Sequence, residues 1–239
     1  PEMMAVLRDA QALSAATQGA FDMTVGALRA WRFGDQQDLP DPAEIAAERR
    51  LVGYRGLILD ANAGTARLAR SGMAIDLGGI AKLPILAAGM QVLHAHGLAD
   101  ALLNGGGDVL VAGSQQGRPW RVGLRDPLAP ERMLGVLALK GSHIVASSGD
   151  YERFFMAQGE RQHHILDPAT GRPTRGPHGI SLLATDASSV NGLGTAMMVL
   201  GGERAQALVQ KRASVQALMM NHDGSLWRTP GMAELLQTA

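Results

Sequence analysis

The chain has 239 residues, of which 46% are hydrophobic, 22 are Lys or Arg and 22 are Asp or Glu. This composition suits a globular protein with one sizeable domain or two small lobes, and it argues against a disordered chain. The balanced charge excludes recognition of nucleic acid or an anionic membrane through a general field, and the absence of cysteine excludes disulfides, thiolate metal sites and a cysteine nucleophile.

The first third of the chain predicts two helices and a hairpin. Apolar residues recur at helical spacing over residues 3–17, and Gly19 is a typical stop. A short helix over Ala43–Arg50 follows, and Tyr54–Leu59 with Thr65–Leu68 predicts two strands. The chain opens inside the first helical pattern, which predicts an upstream segment. No apolar run approaches the roughly 20 residues that a membrane span needs.

The remaining two thirds mix helices with closely spaced strands. An apolar stretch, Pro84–His96, predicts a buried helix that ends at Gly97. The segments ALLNGGGDVLVAG, WRVGLRDP and MLGVLALKGSHIVASSG predict strands with tight turns. Further helices are predicted over Leu193–Leu200 and Ala205–Lys211, and a strand over Val215–Met220. Without a regular βαβ alternation, the pattern favours an α+β fold with mixed, largely antiparallel sheets and packed helices.

Two histidines directly precede a rigid turn in HHILDPATG, residues 163–171. Asp before Pro is pushed toward extended geometry, and Thr170 with Gly171 closes the turn. Because histidine titrates near neutrality, the pair His163 and His164 is a candidate general base that takes a proton from a hydroxyl. An ordinary turn after a strand would explain the same residues.

The segment IDLGGIAK, residues 75–82, places a carboxylate, two glycines and a lysine at the entrance to the predicted apolar helix. Glycine amides, a helix N-terminus and Lys82 would form a cradle for an anion such as pyrophosphate, and Asp76 could accept from a ribose or a base. Equally, Asp76 could cap the helix while Lys82 remains solvated.

Three further patterns have both a functional and a structural interpretation. Gly105–Gly107 would let a phosphate or an adenine approach closely, although a plain hairpin turn uses the same residues. Phe21 and Asp22 follow the first helix and suit a flat ring and an amine, or Phe21 simply fills the core. Asn191 and Thr195, four apart at the start of an apolar helix, form an oxygen pair suited to Mg²⁺, or an N-cap and a packed hydroxyl.

Six sequence blocks between Gly19 and Gly202 share their order and spacing with one protein family. The blocks are GAFDMTVGAL with WRFG, IDLGGIAK, LLNGGGDVLVAG, SSGDYERFF, HHILDPATGRP and NGLGTAMMVLGG. Together they resemble the ApbE family, the FAD:protein FMN transferases. The resemblance implies a single ApbE-like domain over residues 1–239, in which two intimately packed lobes enclose a nucleotide cleft.

The resemblance also implies a magnesium-dependent enzyme that binds FAD and cuts its pyrophosphate. FMN passes to a threonine or serine hydroxyl of an acceptor flavoprotein, and AMP leaves. Transfer of a phosphoryl group between oxygens needs charge neutralisation, in-line positioning and a base for the incoming hydroxyl. The expected partners are FAD and the acceptor, with no nucleic acid. Family resemblance alone implies a periplasmic or cell-envelope location, with the leader outside this chain.

Matching the family's motifs assigns roles to individual positions. His164 is the candidate catalytic base, ahead of His163. The metal is expected at the backbone of Gly79 and at Asn191 and Thr195. The residues expected to contact the flavin nucleotide are Ala20, Phe21, Asp22, Asp76, Lys82 and Ile165.

Three departures from the family pattern affect these expectations. Asn191 stands where the family usually has Asp, which removes a negative charge from the metal site. Leu83 and Pro84 follow Lys82, where a glycine and an aromatic residue are usual. The family's opening strand and a serine-rich nucleotide-binding segment do not precede Pro1. A catalytically reduced flavin-binding or partner-binding homologue, and an FAD pyrophosphatase that releases FMN and AMP, are therefore the alternatives to an active transferase.

Overall fold

Regular secondary structure covers most of the computed structural model, which describes residues 2–34 and 38–238. The helices are α1 (Glu2–Ala16), α2 (Pro42–Arg49), α3 (Lys82–Ala95), α4 (Leu193–Leu200), α5 (Gly202–Gln210) and α6 (Pro230–Leu235). The first strands are β1 (Leu57–Asp60), β2 (Thr65–Leu68), β3 (Ala101–Gly105), β4 (Asp108–Ala112), β5 (Trp120–Arg125), β6 (Met133–Leu139) and β7 (His143–Gly149). The later strands are β8 (Phe154–Ala157), β9 (Glu160–His163), β10 (Leu166–Asp167), β11 (Arg172–Pro173), β12 (Gly179–Ala184), β13 (Gln216–Met220), β14 (Leu226–Arg228) and β15 (Leu236–Gln237).

All strand pairs in the described ranges are antiparallel. The α+β prediction is therefore confirmed. The chain forms two compact units, which are described separately. One contains the residues up to Ile80 together with Asp150–Arg175, and the other contains Ala81–Gly149 and the residues from Gly176 onward. None of the helices in residues 2–34 and 38–238 has the length and apolar character that a membrane span requires.

The first unit consists of α1, α2 and three antiparallel hairpins, β1–β2, β8–β9 and β10–β11. The helix α1 ends where the sequence predicts, because Gly19 adopts φ +85° and its N–H donates to the Ser14 carbonyl at 2.8 Å. One apolar core cluster contains the buried side chains of Leu28, Trp31, Ile45 and Phe155.

A turn glycine ties the last hairpin of this unit to that core. Gly171 adopts φ +70°, as the turn after the Asp–Pro pair requires, and its carbonyl accepts from the Trp31 indole N–H at 2.7 Å. A Cβ at position 171 would lie 3.1 Å from Ile45 Cγ2. The HHILDPATG turn is consequently anchored at Gly171, while Ala169 and Thr170 remain exposed.

The second unit is built on a six-stranded sheet in the order β14–β13–β12–β7–β4–β3 and a three-stranded sheet in the order β15–β6–β5. Its core contains side chains of both sheets, including Val109, Val145, Leu137, Leu183 and Leu218. All five residues of β4 are buried, as expected for a strand covered on both faces.

Two of the predicted elements differ from the structure. The helix α3 was predicted to be buried, but Ile85 and Val92 are 68% and 58% exposed, and only Leu83 and Met90 are buried. An apolar composition shows no period that would reveal how much of a helix is covered. The strand predicted from Tyr54 begins at Leu57 instead, after a 3₁₀ turn over Tyr54–Gly56.

Candidate active site

The carboxylate of Asp22 organises the loop after α1 through three hydrogen bonds. Its Oδ1 accepts from the Thr24 N–H at 2.8 Å and from the Thr24 hydroxyl at 2.6 Å, and its Oδ2 accepts from the Tyr54 N–H at 2.7 Å. The Thr24 hydroxyl oxygen accepts in turn from the Gly53 N–H at 2.7 Å. Asp22 is 6% exposed, so its carboxylate fixes the shape of this loop.

The IDLGG segment lies directly against that loop. The Asp76 N–H donates to the Met23 carbonyl at 2.7 Å, and a Cβ at Gly26 would lie 2.6 Å from the backbone carbon of Ile75. Glycine is therefore required at position 26 for the two segments to approach this closely. Two blocks about 50 residues apart in sequence are in contact within the first unit.

The Asp76 side chain is exposed and does not cap α3. Its Oδ1 accepts from the Gly78 N–H at 2.7 Å, which closes the glycine turn. The N-cap of α3 is Ala81, with no side-chain hydrogen bond to the helix. The capping alternative for Asp76 is therefore wrong, and its carboxylate remains accessible beside Gly79, which is also exposed.

The two adjacent histidines differ completely in their surroundings. His163 is 3% exposed, its Nε2 lies 2.9 Å from the Thr174 carbonyl, and its Nδ1 accepts from the Ile165 N–H at 3.4 Å. Both ring nitrogens are thus engaged in the protein. His164 directly follows β9, is partly exposed, and has Nδ1 3.3 Å from the Arg153 carbonyl.

The Arg153 carbonyl fixes which nitrogen of His164 carries the proton in the neutral ring. Only an N–H can donate to a carbonyl, so Nδ1 is protonated and Nε2 keeps its lone pair. No hydrogen-bond partner of Nε2 is found among residues 2–34 and 38–238. His164 therefore has the hydrogen-bonding arrangement of a general base, and His163 does not.

The electrostatic surroundings also favour the neutral form of His164. Burial and, to a smaller extent, the Arg153 guanidinium lower the pKa of His164 to about 4, although the hydrogen bond to the Arg153 carbonyl and the Asp76 carboxylate partly oppose this shift. The imidazole is consequently unprotonated at neutral pH. Asp76 is therefore one of the charged groups in the electrostatic surroundings of His164.

Besides Asp22, three apolar residues predicted to contact the nucleotide are buried. Ala20 is 9%, Phe21 3% and Ile165 6% exposed. The Phe21 N–H donates to the Thr17 hydroxyl at 3.1 Å, and the Ile165 carbonyl accepts from the Thr174 N–H at 3.0 Å. They shape the loop after α1 and the turn after β9, and their contact with FAD stays a prediction.

In the second unit, Lys82 pairs with a buried carboxylate. Lys82 Nζ lies 2.6 Å from Asp108 Oδ2, and Asp108 Oδ1 accepts from the Ser147 N–H at 2.9 Å. Asp108 opens β4 and is 5% exposed, whereas the Lys82 side chain is 45% exposed. Lys82 is therefore exposed, as in the alternative of a solvated lysine, but it is also paired with a carboxylate. The Asp108 carboxylate fixes the position of the Lys82 ammonium, which remains accessible to an anion.

The start of α3 offers few donors besides Lys82. The first turn of a helix leaves its N–H groups without partners inside the helix, but Pro84 in this turn has no N–H. The backbone amides available to an anion are those of the first residues, Lys82 and Leu83. The side chain of Lys82 is consequently the main source of positive charge at this helix end.

Of the two side chains predicted to bind the metal, only Thr195 lies within α4. Asn191 lies before α4, whose N-cap is Gly192 at φ +71°. The prediction that Asn191 caps this helix is wrong, because only a residue that tolerates positive φ fits the cap position. Both side chains are partly buried, and neither has a hydrogen-bond partner in the described part of the chain.

Close packing brings α4 against the strand that carries the Asp108 contact. A Cβ at Gly194 would lie 2.6 Å from the Ser148 hydroxyl oxygen, and β7 pairs with both β4 and β12. Asp108 on β4, Ser148 on β7 and Gly194 on α4 are therefore neighbours within the second unit.

Sequence reasoning missed Asp108, Ser148 and Arg153. In the sequence, Asp108 is an acidic residue at the start of an otherwise apolar strand. A carboxylate buried at such a position needs a hydrogen-bond donor or a cation as its partner. Ser148 and Arg153 lie in the SSGDYERFF segment, for which the sequence predicts no individual roles. No signal in the sequence links either residue to its neighbours, because the Ser148 contact depends on the packing of α4 against β7 and the Arg153 contact on the β8–β9 pairing.

Comparison with known proteins identifies similar sequences over nearly the whole chain. A sequence model described as the ApbE family matches residues 1–219. A FAD:protein FMN transferase from Rhodobacter capsulatus is 33% identical over 99% of this chain and 46% of its own length. One from Treponema pallidum is 32% identical over 97% of this chain and 69% of its own length. The chain thus spans about half to two thirds of these relatives.

Solved structures show the same architecture. The ApbE protein of Thermotoga maritima superposes with a TM-score of 0.90 and 32% identity, covering 99% of this chain and 78% of its own. The flavin transferase ApbE of Vibrio cholerae gives a TM-score of 0.84 and 27% identity, covering 99% and 77% of the two chains. These similarities confirm the predicted fold and family resemblance.

Proposed function

The chain belongs to the ApbE family, and on that premise we propose that it is a FAD:protein FMN transferase. It transfers FMN from FAD to a threonine or serine hydroxyl of an acceptor flavoprotein and releases AMP. Three relatives of which the chain covers 67–69% are named FAD:protein FMN transferase, which supports the transfer of FMN. A periplasmic or cell-envelope location belongs to the same proposal and rests on the family alone.

The reaction exchanges one phosphorus–oxygen bond for another. The acceptor hydroxyl oxygen bonds to the phosphorus of the FMN half of FAD, the bond from that phosphorus to the bridging oxygen breaks, and the oxygen leaves with AMP. The hydroxyl proton passes to Nε2 of His164. Lys82 binds the negative charge that grows on the phosphate oxygens.

One observation carries this proposal most directly. His164 is a neutral imidazole with Nδ1 directed at the Arg153 carbonyl and Nε2 without a protein partner. A group that is unprotonated, oriented and open to a hydroxyl is what the transfer requires. A histidine with only a structural role would resemble His163, whose two nitrogens both face protein atoms.

The candidate metal ligands fit Mg²⁺ in kind but contribute no charge. Asn191 and Thr195 offer an amide and a hydroxyl oxygen, and Gly79 a backbone carbonyl, all of the hard type that Mg²⁺ prefers. No set of three His, Cys, Asp or Glu side chains suited to a metal occurs in the described ranges. Mg²⁺, when held by these residues, would supply charge neutralisation at the pyrophosphate.

Replacement of Asn191 by Asp is expected to strengthen metal binding about tenfold, because a carboxylate adds a full charge to a site of neutral oxygens. Titration of the protein with Mn²⁺, followed by electron paramagnetic resonance, measures this directly. Asn62→Asp makes the same chemical change in an exposed turn and should leave Mn²⁺ affinity unaltered. Equal affinities in wild type and Asn191→Asp would remove Asn191 from the metal site.

The pH dependence of the reaction is expected to follow His164. Since burial and Arg153 lower its pKa to about 4, kcat/KM should be flat from about pH 8 to about pH 5 and decline below that. Because the unfolded chain binds this proton near the ordinary pKa of 6.5, folding stability also declines as pH falls from about 6.5 toward 4. An acid limb that survives in His164→Gln would assign the titration to another group.

The activity itself is tested with FAD, Mg²⁺ and an acceptor domain. Covalent flavin on the acceptor, visible as in-gel fluorescence, is the expected product. Free FMN and AMP formed without acceptor would show a pyrophosphatase. The neutral metal ligands specifically favour a catalytically reduced homologue as the second candidate, which would bind FAD without forming either product.

A further inference from the structure

Arg153 lies beside the candidate base and has two distinct connections to it. Its carbonyl accepts from the His164 N–H at 3.0 Å and lies 3.3 Å from His164 Nδ1. The residue directly precedes β8, whose first residue, Phe154, pairs with His163 at the end of β9. The backbone of Arg153 is therefore fixed relative to the imidazole by the ladder of this hairpin.

The guanidinium of Arg153 is exposed and has no partner among the described residues. The neighbouring arginines of this unit are engaged. Arg161 pairs with Asp150 and lies over the Phe154 ring, and Arg175 pairs with Glu160 at 2.7 Å. This exposed cation therefore has no counter-ion in the part of the chain that the structure describes.

We propose that Arg153 is a phosphate-binding residue of this enzyme, whose guanidinium binds the pyrophosphate of FAD next to His164. A planar guanidinium donates two parallel hydrogen bonds to a phosphate, which a lysine cannot do. The proposal rests on the proposed function for the identity of FAD. Its physical basis, an anion site beside the imidazole, does not depend on the transfer step.

Binding of the phosphate also changes the imidazole. The charged and titratable groups that act on His164 are the Arg153 guanidinium, the His163 ring and the Asp76 carboxylate. An anion on Arg153 compensates the guanidinium charge, so the pKa of His164 rises toward its ordinary value. The imidazole therefore becomes a stronger base when the phosphate arrives. In kinetic terms, the acid limb of kcat should lie at higher pH than that of kcat/KM.

The first test compares the affinity for FAD, measured by quenching of flavin fluorescence at constant salt. Arg153→Gln is expected to weaken FAD binding about tenfold. Arg153→Lys should weaken it less than Arg153→Gln but not match the wild type, because an ammonium cannot donate two parallel hydrogen bonds to a phosphate. Arg67→Gln removes an equally exposed arginine from the β1–β2 hairpin and should bind FAD like the wild type. Unchanged affinity in Arg153→Gln would overturn the proposal.

The second test uses inorganic pyrophosphate and the NMR signals of His164. Saturating pyrophosphate should raise the pKa of His164 in the wild type and leave it unchanged in Arg153→Gln, which in the absence of ligand should itself titrate higher than the wild type. An equal response in both proteins, or none in the wild type, would overturn the proposal. Failure of FMN transfer with a positive pyrophosphate response would reject the proposed function while keeping the phosphate site.

Discussion

Replacement of His164 by glutamine is expected to lower kcat for FMN transfer by about 10²–10⁴-fold, the range that general bases contribute. The amide keeps a similar shape and a donor for the Arg153 carbonyl, but it cannot take the proton from the acceptor hydroxyl. FAD affinity should change little, because the loss falls on the chemical step. The measurement is single-turnover flavin transfer at saturating FAD and acceptor.

His163→Gln is the matched control at the neighbouring position. Since His163 is buried and both of its nitrogens face protein atoms, its loss should lower thermal stability and leave the folded protein with most of its activity. If His163→Gln, while folded, lost more activity than His164→Gln, the assignment of the base would be reversed. A His164→Gln protein that retained kcat within about threefold would remove general base catalysis by this residue.

Replacement of Lys82 by methionine is expected to lower kcat/KM for FAD by about 10²–10³-fold, comparable to the loss of one donor that stabilises transition-state charge. Methionine keeps most of the stem that packs at the start of α3, so the loss reports the ammonium. Steady-state FMN transfer at several FAD concentrations measures the change.

Asp108→Asn tests whether the buried carboxylate positions that ammonium. The amide oxygen still accepts from the Ser147 N–H, but the charge that holds Lys82 Nζ is lost. We expect a smaller loss of kcat/KM than in Lys82→Met and no further loss in the double variant, because both changes affect the same ammonium. Additive losses would show that Asp108 acts independently of Lys82.

The elements that could be predicted from the sequence are those with a local signal. The helical period and Gly19 define α1, and the apolar strands with glycine turns define β3, β4 and β7. The burial of α3 could not be predicted, because Ile85 and Val92 differ from Leu83 and Met90 only in what the rest of the fold places against them.

The sequence segments that form the candidate site could be predicted, but the contacts between their side chains could not. Sequence chemistry identifies the histidine pair, yet the choice between the two depends on which ring faces the Thr174 carbonyl and which the Arg153 carbonyl. Asp108 lies 26 positions after Lys82, and only the fold of α3 against the sheet brings their charged atoms to 2.6 Å.

The strands near Lys82 and those near His164 differ in how many neighbouring strands they pair with. Ser147 and Asp108 lie on β7 and β4, interior strands of a six-stranded sheet, whereas His164 follows a two-stranded hairpin. Local opening of interior strands requires much of the sheet to separate, and a two-stranded ladder can fray alone. Amide hydrogens of β4 and β7 around Lys82 should thus exchange with solvent more slowly than those of the β8–β9 hairpin that precedes His164.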